Sequence, residues 1–281
     1  MTLMREFIAD RSPPDLYETY LAHGLFMPWA DLLLERLDAC GVCLDLACGT
    51  GVASRKLSDR AEVESVKAID VAPPMIAKAK ALQQQQDLAR KAEFLEASAL
   101  ALPFDDESFD MAFCQQGLQF FPDKVLALSE ARRVLKPSGK LGAAIWTSAR
   151  DGNPVFGAFE KVLEQHVGPD VLPLGPFSFG DGDAVLAVAE QAGLDVQSFG
   201  KQELLISLPP VRELVLFDLL FLGRPGPDGS LQPVIDPDDQ AADELIEAII
   251  SDLAKAVSAF VTPDGSLRSP TTAHLLIAQK S

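Results

Sequence analysis

The stretch Leu44-Asp45-Leu46-Ala47-Cys48-Gly49-Thr50-Gly51 decides the fold class of this chain. It starts as a short apolar run and ends in small residues, a pattern typical of a buried strand that turns into a helix. The small residues at 47, 49 and 51 allow a tight turn and let a ligand approach the backbone. The helix behind the turn offers free N–H groups and the positive end of its dipole. The stretch therefore predicts a ligand-binding turn between a strand and a helix.

Two acids near this turn indicate what it binds. Asp70 ends a second apolar run, VKAID, where a carboxylate can accept hydrogen bonds from both hydroxyls of a ribose. Asp45 stands inside the first strand, where it would repel a pyrophosphate but suit the cationic end of an amino acid. The dinucleotide fingerprint is matched only weakly, as Gly49-x-Gly51-x-x-Ser54. Asp45 and the weak fingerprint thus disfavour a nicotinamide cofactor without excluding it.

Strand and helix patterns alternate on both sides of this turn. Strand candidates at 66–70, 94–98, 109–114 and 141–146 alternate with helix candidates at 52–59, from Pro73 onward and at 123–136. Such alternation predicts an α/β fold with a mainly parallel sheet. Further predictions are a helix over 15–38 broken near Gly24 and Pro28, a turn at 137–139, strands at 194–199 and 203–208, a helix at 213–222, a loop at 224–239, a helix at 240–261 and a last strand at 274–279.

Composition and charge narrow the classes of function. The 281 residues are 48% hydrophobic, enough for a sizeable core, and 24 basic against 41 acidic residues give a net charge of −17. Such a charge argues against nucleic-acid binding and against docking on an anionic membrane. No uninterrupted apolar segment of membrane-spanning length and no secretory signal pattern is found, which predicts a cytoplasmic protein. The four cysteines include one lone C-x-x-C pair, Cys40 and Cys43, so we expect buried, reduced thiols rather than a zinc site.

Four motifs in order resemble those of a known family. They read DLACGTG (45–51), AIDVAPPMIAKA (68–79), ALPFDDESFD (101–110) and QQGLQFFPD with ARRVLKPSGKL (115–123 and 131–141). Together they resemble class I S-adenosylmethionine (SAM)-dependent methyltransferases of the small-molecule type, akin to the ubiquinone/menaquinone-biosynthesis enzymes. The resemblance covers about residues 40–146. It implies a Rossmann-like, doubly wound, mainly parallel seven-stranded sheet, SAM as cofactor, S-adenosylhomocysteine as product, and no metal.

The resemblance also implies roles for individual residues. Ser98 stands where the family usually has an aspartate that meets the adenine amino group, and Ala47 replaces a more usual glycine. Gln115 would present its backbone carbonyl to the methionine amine. The implied cofactor-binding set is Asp45, Ala47, Gly49, Gly51, Asp70, Val71, Met75, Ser98, Ala99 and Gln115.

Candidates for catalysis are few. Methyl transfer is an in-line displacement that depends on alignment, and a base is needed only for a protonated acceptor. Gln119 stands where related enzymes often carry a histidine, and an amide cannot take a proton at neutral pH. His23 and His166 are the other candidates, whereas His274 is expected to be structural.

The acceptor pocket is expected outside the sheet core. The predicted divisions are an N-terminal helical cap (1–36), a SAM-binding core (37–208) whose residues 147–180 contribute to the pocket, a helical lid (209–265) and the last strand of the core (266–281). Aromatic residues in these parts suit an apolar acceptor. The candidate contacts are Tyr17, Tyr20, Phe26, Phe120, Trp146, Phe177, Phe179 and Phe217.

Three functions remain open at this point. The first is methyl transfer to an apolar or aromatic small molecule, with the O, C or N acceptor unresolved. The second is a SAM-binding protein that transfers no methyl group, which the glutamine at 119 keeps open. The third is a nicotinamide-dependent oxidoreductase. The expected partner is a small molecule, with no nucleic acid and no membrane, and a homodimer is left open.

Overall fold

A seven-stranded sheet organises the chain in the computed structural model, which describes residues 2–86, 88, 91–169, 175–225 and 231–281. Its strand order is β3-β2-β1-β4-β5-β9-β6, with β1 to β5 parallel to one another and β9 antiparallel to β5. This confirms the predicted mainly parallel, doubly wound sheet. The strands are β1 (Gly41–Leu46), β2 (Val63–Asp70), β3 (Glu93–Glu96), β4 (Phe109–Gln115), β5 (Leu135–Trp146), β6 (Asp195–Leu208), β7 (Gly223–Pro225), β8 (Leu231–Pro233) and β9 (Leu267–Gln279).

Helices follow most strands of the sheet. Pro73 and Pro74 begin α5 as predicted, because proline lacks only an N–H that the first turn leaves unbonded. The helices are α1 (Leu3–Ile8), α2 (Pro13–Tyr17), α3 (Met27–Leu37), α4 (Val52–Ser58), α5 (Pro73–Gln84), α6 (Lys124–Val134), α7 (Pro154–Val167), α8 (Gly182–Gln191), α9 (Val211–Phe221) and α10 (Ala242–Ala256).

The described chain forms two compact units. The sheet unit comprises Phe26–Thr147, Phe179–Gln202 and Ala273–Ser281, and the helical unit comprises Met1–Leu25, Ser148–Ser178 and Glu203–Thr272. In the sheet unit, α3 packs closely on β5, since a Cβ on Gly142 would lie 3.2 Å from Leu33 and 3.3 Å from Leu37. In the helical unit, α10 packs against α7 and α9. The predicted roles of 1–36 as a cap and of 209–265 as a lid stay predictions.

The predicted break near Gly24 and Pro28 falls where one helical segment ends and α3 begins, although the backbone stays helical through this point. A π-helical segment, Glu18–Phe26, follows α2 and leads directly into α3. Pro28 stands in the first turn of α3, where its missing N–H costs no hydrogen bond. Gly24 lies against the backbone carbonyl of Ser207, which leaves no room for a Cβ. Close packing, and not a helix end, explains this glycine.

The predicted turn at 137–139 lies within β5. Phe109 and Met111, two residues apart on β4, pair with Leu135 and Lys140, so β5 bulges between these positions. Ser138 adopts a left-handed φ of 63° in this bulge. Its carbonyl accepts a hydrogen bond of 2.9 Å from the Gln279 side chain. The Pro-Ser-Gly sequence therefore bends the strand without ending it.

Three other predicted elements differ in extent. The candidate strands at 194–199 and 203–208 are one strand, β6, because Gly200 and Lys201 continue in extended conformation. The predicted loop at 224–239 holds parts of β7 and the whole of β8, while residues 226–230 lie outside the described part. The last strand begins at Leu267, earlier than predicted.

All four cysteines are free, as expected for reduced thiols. Cys43 and Cys114 are buried, and burial raises the pKa of each thiol to about 12. Cys40 is exposed, against the expectation of burial.

Candidate functional site

The loop after β1 lies where the strand order of the sheet reverses. β1 pairs with β2 on one side and with β4 on the other, all three in parallel. In open α/β sheets the loops that leave such neighbouring strands diverge to opposite faces and leave a crevice at the carboxyl ends. The predicted cofactor loop therefore lies at this crevice.

A network of hydrogen bonds holds this loop to the end of β2. The Asp70 carboxylate accepts the Gly49 N–H at 2.8 Å through one oxygen and the Ala72 N–H at 2.9 Å through the other. The Cys48 N–H donates to the Ile69 carbonyl at 2.9 Å. Each carboxylate oxygen of Asp70 keeps further lone-pair capacity for a ligand hydroxyl. Asp70 is therefore both a support of the loop and an available acceptor.

The two glycines of the loop have different surroundings. Both have a left-handed φ, 54° at Gly49 and 80° at Gly51. A Cβ on Gly49 would have no protein atom within 4 Å, whereas a Cβ on Gly51 would lie 2.7 Å from the Phe94 ring. Of these two glycines, Gly49 is the one beside open space. The Phe94 ring thus gives a separate reason for glycine at 51, and the close approach of a ligand there stays a prediction.

Ala47 adopts the same left-handed conformation, with φ of 57°. A Cβ on Gly117, in the loop after β4, would lie 2.7 Å from the Ala47 Cβ. The two loops are thus closely packed, and any residue larger than glycine at 117 would push them apart.

Asp45 lies beneath the loop and is 2% exposed. Its carboxylate accepts a hydrogen bond of 2.5 Å from the Ser54 hydroxyl on α4. Burial raises the pKa of Asp45 to about 7, the nearby charge of Asp70 adds to this rise, and the Ser54 hydrogen bond opposes it. The carboxyl therefore changes charge near neutral pH.

The other predicted cofactor residues follow β2, β3 and β4. Val71 is 67% exposed directly after β2, and Met75 is half-buried on α5. The Ser98 hydroxyl accepts the Leu100 N–H at 3.2 Å, and Ala99 is buried. At the end of β4, the Gln115 side chain donates to the Phe26 carbonyl at 2.6 Å. The carboxyl edge of the sheet brings these strand ends together.

The loop after β4 contains two buried amides, of which only Gln119 was predicted as a site residue. Gln119 is buried, and its Nε2 donates to the Gln116 carbonyl at 2.8 Å. Gln116 has a left-handed φ of 46°, and both polar atoms of its buried side chain have no hydrogen-bond partner in the described structure. Phe120 is 58% exposed. Gln116 was missed, although two glutamines directly after a buried strand were a usable signal.

The two histidine candidates lie in the helical unit. His23 is exposed in the π-helical segment. His166, near the end of α7, lies 3.0 Å from the Asp252 carboxylate on α10. The contact ties these two helices together, and catalysis by either histidine stays a prediction. His274 belongs to the sheet unit, where its Nε2 lies 2.9 Å from the Gly180 carbonyl and its ring stacks on Phe199, as expected of a structural residue.

Among the acceptor candidates of the helical unit, Tyr20 accepts a hydrogen bond of 3.0 Å from Arg11 and its ring stacks on Phe7. Tyr17 is half-buried on α2. Phe217 is buried beside Phe221, with ring centroids 4.9 Å apart.

Phe177 lines a cavity of about 380 Å³ within this unit, together with Phe156, at a centroid distance of 5.0 Å, and Phe159. The segment around Phe177 was predicted to contribute to the acceptor pocket, and the binding of an acceptor in this cavity stays a prediction.

The remaining acceptor candidates belong to the sheet unit. Trp146 is buried with its ring edge-on to Trp29, at a centroid distance of 5.4 Å. Lys124 lies over the Phe179 ring, 4.9 Å from its centroid. Phe26 is half-buried. Trp146 and Phe179 thus have packing partners of their own, and their contact with an acceptor stays a prediction.

Within the described ranges, no group of three or more histidine, cysteine or acidic side chains is arranged to hold a metal ion. Among the same residues, no helix has the length and apolar character needed to span a membrane.

Known proteins resemble this chain in sequence and in fold. A family model described as a methyltransferase domain matches residues 44–143. A demethylmenaquinone methyltransferase from Thermus thermophilus is 38% identical over 170 residues, covering 59% of this chain and 74% of that protein. A 2-phytyl-1,4-naphtoquinone methyltransferase from Trichormus variabilis is 33% identical over 159 residues, covering 55% and 69%. The solved structure of the (4+2) cyclase SpnF is 19% identical, covers 90% of this chain and 80% of its own, and has a TM-score of 0.52, which shows a likeness of fold alone.

The matched segment begins in β1 and ends in β5, so it contains the glycine loop, Asp70 and the loop after β4. The chain therefore belongs to the class I SAM-dependent methyltransferases, in the subgroup of small-molecule enzymes that includes the quinone-biosynthesis methyltransferases.

Proposed function

We propose that this chain binds SAM at the carboxyl ends of β1, β2 and β4 and transfers its methyl group to an apolar or aromatic small molecule. The observation that carries the proposal is the open space beside Gly49, where a Cβ would contact no protein atom within 4 Å. This space adjoins a left-handed loop that is fastened to a carboxylate with free acceptor capacity. Such a place suits a ligand that lies against the backbone and ends in a ribose.

The residues present fit the parts of SAM. Asp70 would accept the ribose hydroxyls, and the exposed Val71 with Met75 would cover the adenine. Ser98 uses its hydroxyl oxygen to accept one backbone N–H and keeps a lone pair and a proton for the adenine edge. Ala47, Gly51 and the buried Ala99 would shape the loop walls.

The methionine end would meet β1 and β4. The backbone carbonyl of Gln115 would accept a hydrogen bond from the ammonium group of the methionine part of SAM. Asp45, beneath the loop, would favour the same cation when ionised, and a bound cation would in turn lower its pKa from about 7.

Alignment is the main contribution that the chain's own residues would make to the reaction. When bound, SAM supplies a methyl group on a positively charged sulfur, which an acceptor atom displaces in line. Alignment of this kind is worth roughly 7–11 kcal/mol of the barrier. Gln119 holds the Gln116 carbonyl and so positions the loop after β4; its amide takes no proton. We propose that Gln119 is a positioning residue and that no residue acts as an essential base.

The acceptor class follows from two observations. The two quinone methyltransferases are named for apolar ring compounds. The aromatic cavity of the helical unit has the volume of a small-molecule pocket. Both support an apolar or aromatic acceptor. We further propose that the chain requires no metal, acts in the cytoplasm, and releases S-adenosylhomocysteine.

A second candidate is a protein that binds SAM without transferring its methyl group. The likeness of fold to a protein named as a cyclase favours this candidate, because it shows that the same fold occurs in a protein named for a reaction other than methyl transfer. The glutamine at 119 in place of a histidine is compatible with both candidates.

Two measurements on the full chain test the proposal. Calorimetric titration with SAM and with NAD should give binding of SAM and none of NAD. Incubation with methyl-labelled SAM and either reduced naphthoquinones or cell extracts should then give a labelled small molecule. Binding of NAD but not of SAM contradicts the cofactor assignment. Binding of SAM with no labelled product from any acceptor favours the second candidate.

A further inference from the structure

The cavity of the helical unit combines an aromatic wall with an unusual distribution of charge. Its volume is about 380 Å³. The described side chains around it include the three rings of Phe156, Phe159 and Phe177, together with the aliphatic Leu163 and Leu222. Cavities of this size and lining bind small organic molecules whose polar groups are recognised by a few well-placed side chains. The charged groups of the lining therefore decide which molecule fits.

Acids outnumber bases in this lining. Arg150 donates to Glu160 at 2.7 Å and to Glu164 at 2.5 Å, so one guanidinium is shared between two carboxylates. Asp218 adds a third carboxyl. The described lining thus carries one positive group against three acidic ones, and an anionic ligand would meet repulsion.

Asp218 is the one acid of this set without a partner in the described structure. No hydrogen bond or ion pair of its side chain is found among the described residues, and it stands on α9, between the buried Phe217 and Leu219. Burial alone raises the pKa of Asp218 to about 7, with no neighbouring charge contributing. A carboxyl in an apolar wall is costly unless a donor or a cation meets it.

We propose that this cavity binds an apolar, ring-containing molecule that carries a protonated amine, with the amine paired to Asp218 and the ring against Phe156, Phe159 and Phe177. The excess of carboxylates favours a cation over a neutral hydroxyl. The aromatic faces favour it further, because a ring attracts a cation through its quadrupole. The inference concerns binding and holds whether or not the bound molecule is the methyl acceptor.

Three probes with one ring system test the charge preference. These are 2-(1-naphthyl)ethylamine, 2-(1-naphthyl)ethanol and 1-naphthaleneacetate, titrated into the full chain at pH 8 by fluorescence or calorimetry. The amine should bind at least tenfold more tightly than the alcohol, and the acetate should bind most weakly. Equal affinity of amine and alcohol, tighter binding of the acetate, or binding of none of the three overturns the proposal.

Matched variants locate the amine. Asp218→Asn should weaken the amine by tenfold or more and change the alcohol by less than about threefold. Glu244→Gln is the control, because this acid lies in the same unit, is exposed on α10 and is outside the cavity lining. An amine affinity that is unchanged in Asp218→Asn overturns the proposal even if the amine binds.

The pH dependence of amine binding gives a second readout. Lowering the pH from 8 to 5.5 protonates Asp218, so amine affinity should fall about tenfold in the wild type and stay level in Asp218→Asn. The other charged groups of the lining are Arg150, Glu160 and Glu164, and Arg150 is hydrogen-bonded to both of these carboxylates. Parallel curves for both proteins contradict the assignment to Asp218.

SAM titration of the same variants keeps this inference separate from the proposed function. Asp218→Asn should bind SAM with wild-type affinity, because Asp218 belongs to none of the residues assigned to that cofactor. A wild-type protein that binds SAM but not the amine overturns only the cavity proposal. A wild-type protein that recognises the amine but does not bind SAM overturns only the proposed function.

Discussion

A hydrogen bond of 2.8 Å from the Gly49 N–H to the Asp70 carboxylate joins the loop after β1 to the end of β2. The same carboxylate accepts the Ala72 N–H, so one side chain fixes the conformation of two loops. The acid thus has a structural role that it keeps in the absence of any ligand, and its removal is expected to act on both the loop and the ligand.

The first prediction concerns Asp70 itself. Asp70→Asn replaces one acceptor oxygen by an amide nitrogen, so a ribose hydroxyl loses a charge-assisted hydrogen bond worth about 1.5–3 kcal/mol. Calorimetry should show a loss of SAM affinity of about tenfold or more. Glu64→Gln is the control, since Glu64 is exposed on the same strand. SAM affinity within twofold of wild type in Asp70→Asn would falsify the ribose assignment.

The second prediction separates the two loop glycines. Gly49→Ala places a methyl group in open space, so SAM affinity should fall at least tenfold while thermal stability changes little beyond the cost of a left-handed alanine, about 1 kcal/mol. Gly51→Ala drives a methyl group into the Phe94 ring, so its melting temperature should fall clearly further. Thermal melts and SAM titration of both variants check this. Equal melting temperatures of the Gly49→Ala and Gly51→Ala variants would contradict the prediction, because the Phe94 ring would then move aside without loss of stability.

The third prediction is a pH dependence of stability that depends on Asp45. Its pKa in the folded protein, about 7, lies above the unfolded value of about 3.9. Between these values the folded protein retains a proton that the unfolded chain releases, so the free energy of unfolding falls as pH rises from about 4 to 7 and then levels off. While one such proton is retained, each rise of one pH unit lowers the free energy of unfolding by about 1.4 kcal/mol.

The measurement is a series of melts of the protein without ligand between pH 5 and pH 8. Asp45→Asn should lose less stability than wild type over this interval. Asp218→Asn should do the same, because burial raises the pKa of that carboxyl to about 7 as well. Glu64→Gln should follow the wild-type curve. A wild-type protein that becomes more stable towards pH 8 contradicts the prediction.

The fourth prediction concerns catalysis. A general base contributes about 10²–10⁴-fold, whereas a positioning group contributes less. With an acceptor from the labelling experiment, kcat of His23→Ala, His166→Ala and Gln119→Ala should each fall by less than about tenfold. His166→Ala should also lower the melting temperature through the lost contact with Asp252. A thousandfold fall in one variant, with intact SAM binding and a lost acidic limb in the pH profile, would identify that residue as the base.

The core of the fold could be predicted because its signals are local. An apolar run followed by Ala47, Gly49 and Gly51 specifies a strand, a turn and a helix within one short segment. The next strand, which ends at Asp70, is likewise followed by a helix. Where the backbone depends on distant residues, local patterns failed. At the bulge, the Ser138 carbonyl accepts a hydrogen bond from the distant Gln279, and a Cβ at Gly24 would meet the carbonyl of the distant Ser207.

The site was predictable to the same extent. The residues of the cofactor loop form one motif, but the reason for Gly51 required the position of Phe94, which lies on another strand. In the sequence, Gln116 is distinguished only by the adjacent Gln115. That its buried amide has no hydrogen-bond partner in the described structure depends on how the surrounding residues pack. In the sequence, Asp218 is the single acid within an otherwise apolar helical segment, 214–222. Its position in the lining of the cavity, which suggests a role in binding a ligand, is visible only in the structure.

The position of β9 in the sheet has a consequence for how the protein is made. β9 lies between β5 and β6, although it is the last of these three strands in the chain. During synthesis, the edge of β5 from Lys140 to Trp146 therefore stays without its β9 partner until Ala273 to Gln279 are translated. The unpaired edge of an apolar strand is prone to associate with other chains. This edge is therefore open to pairing with other chains until residues 273–279 have left the ribosome.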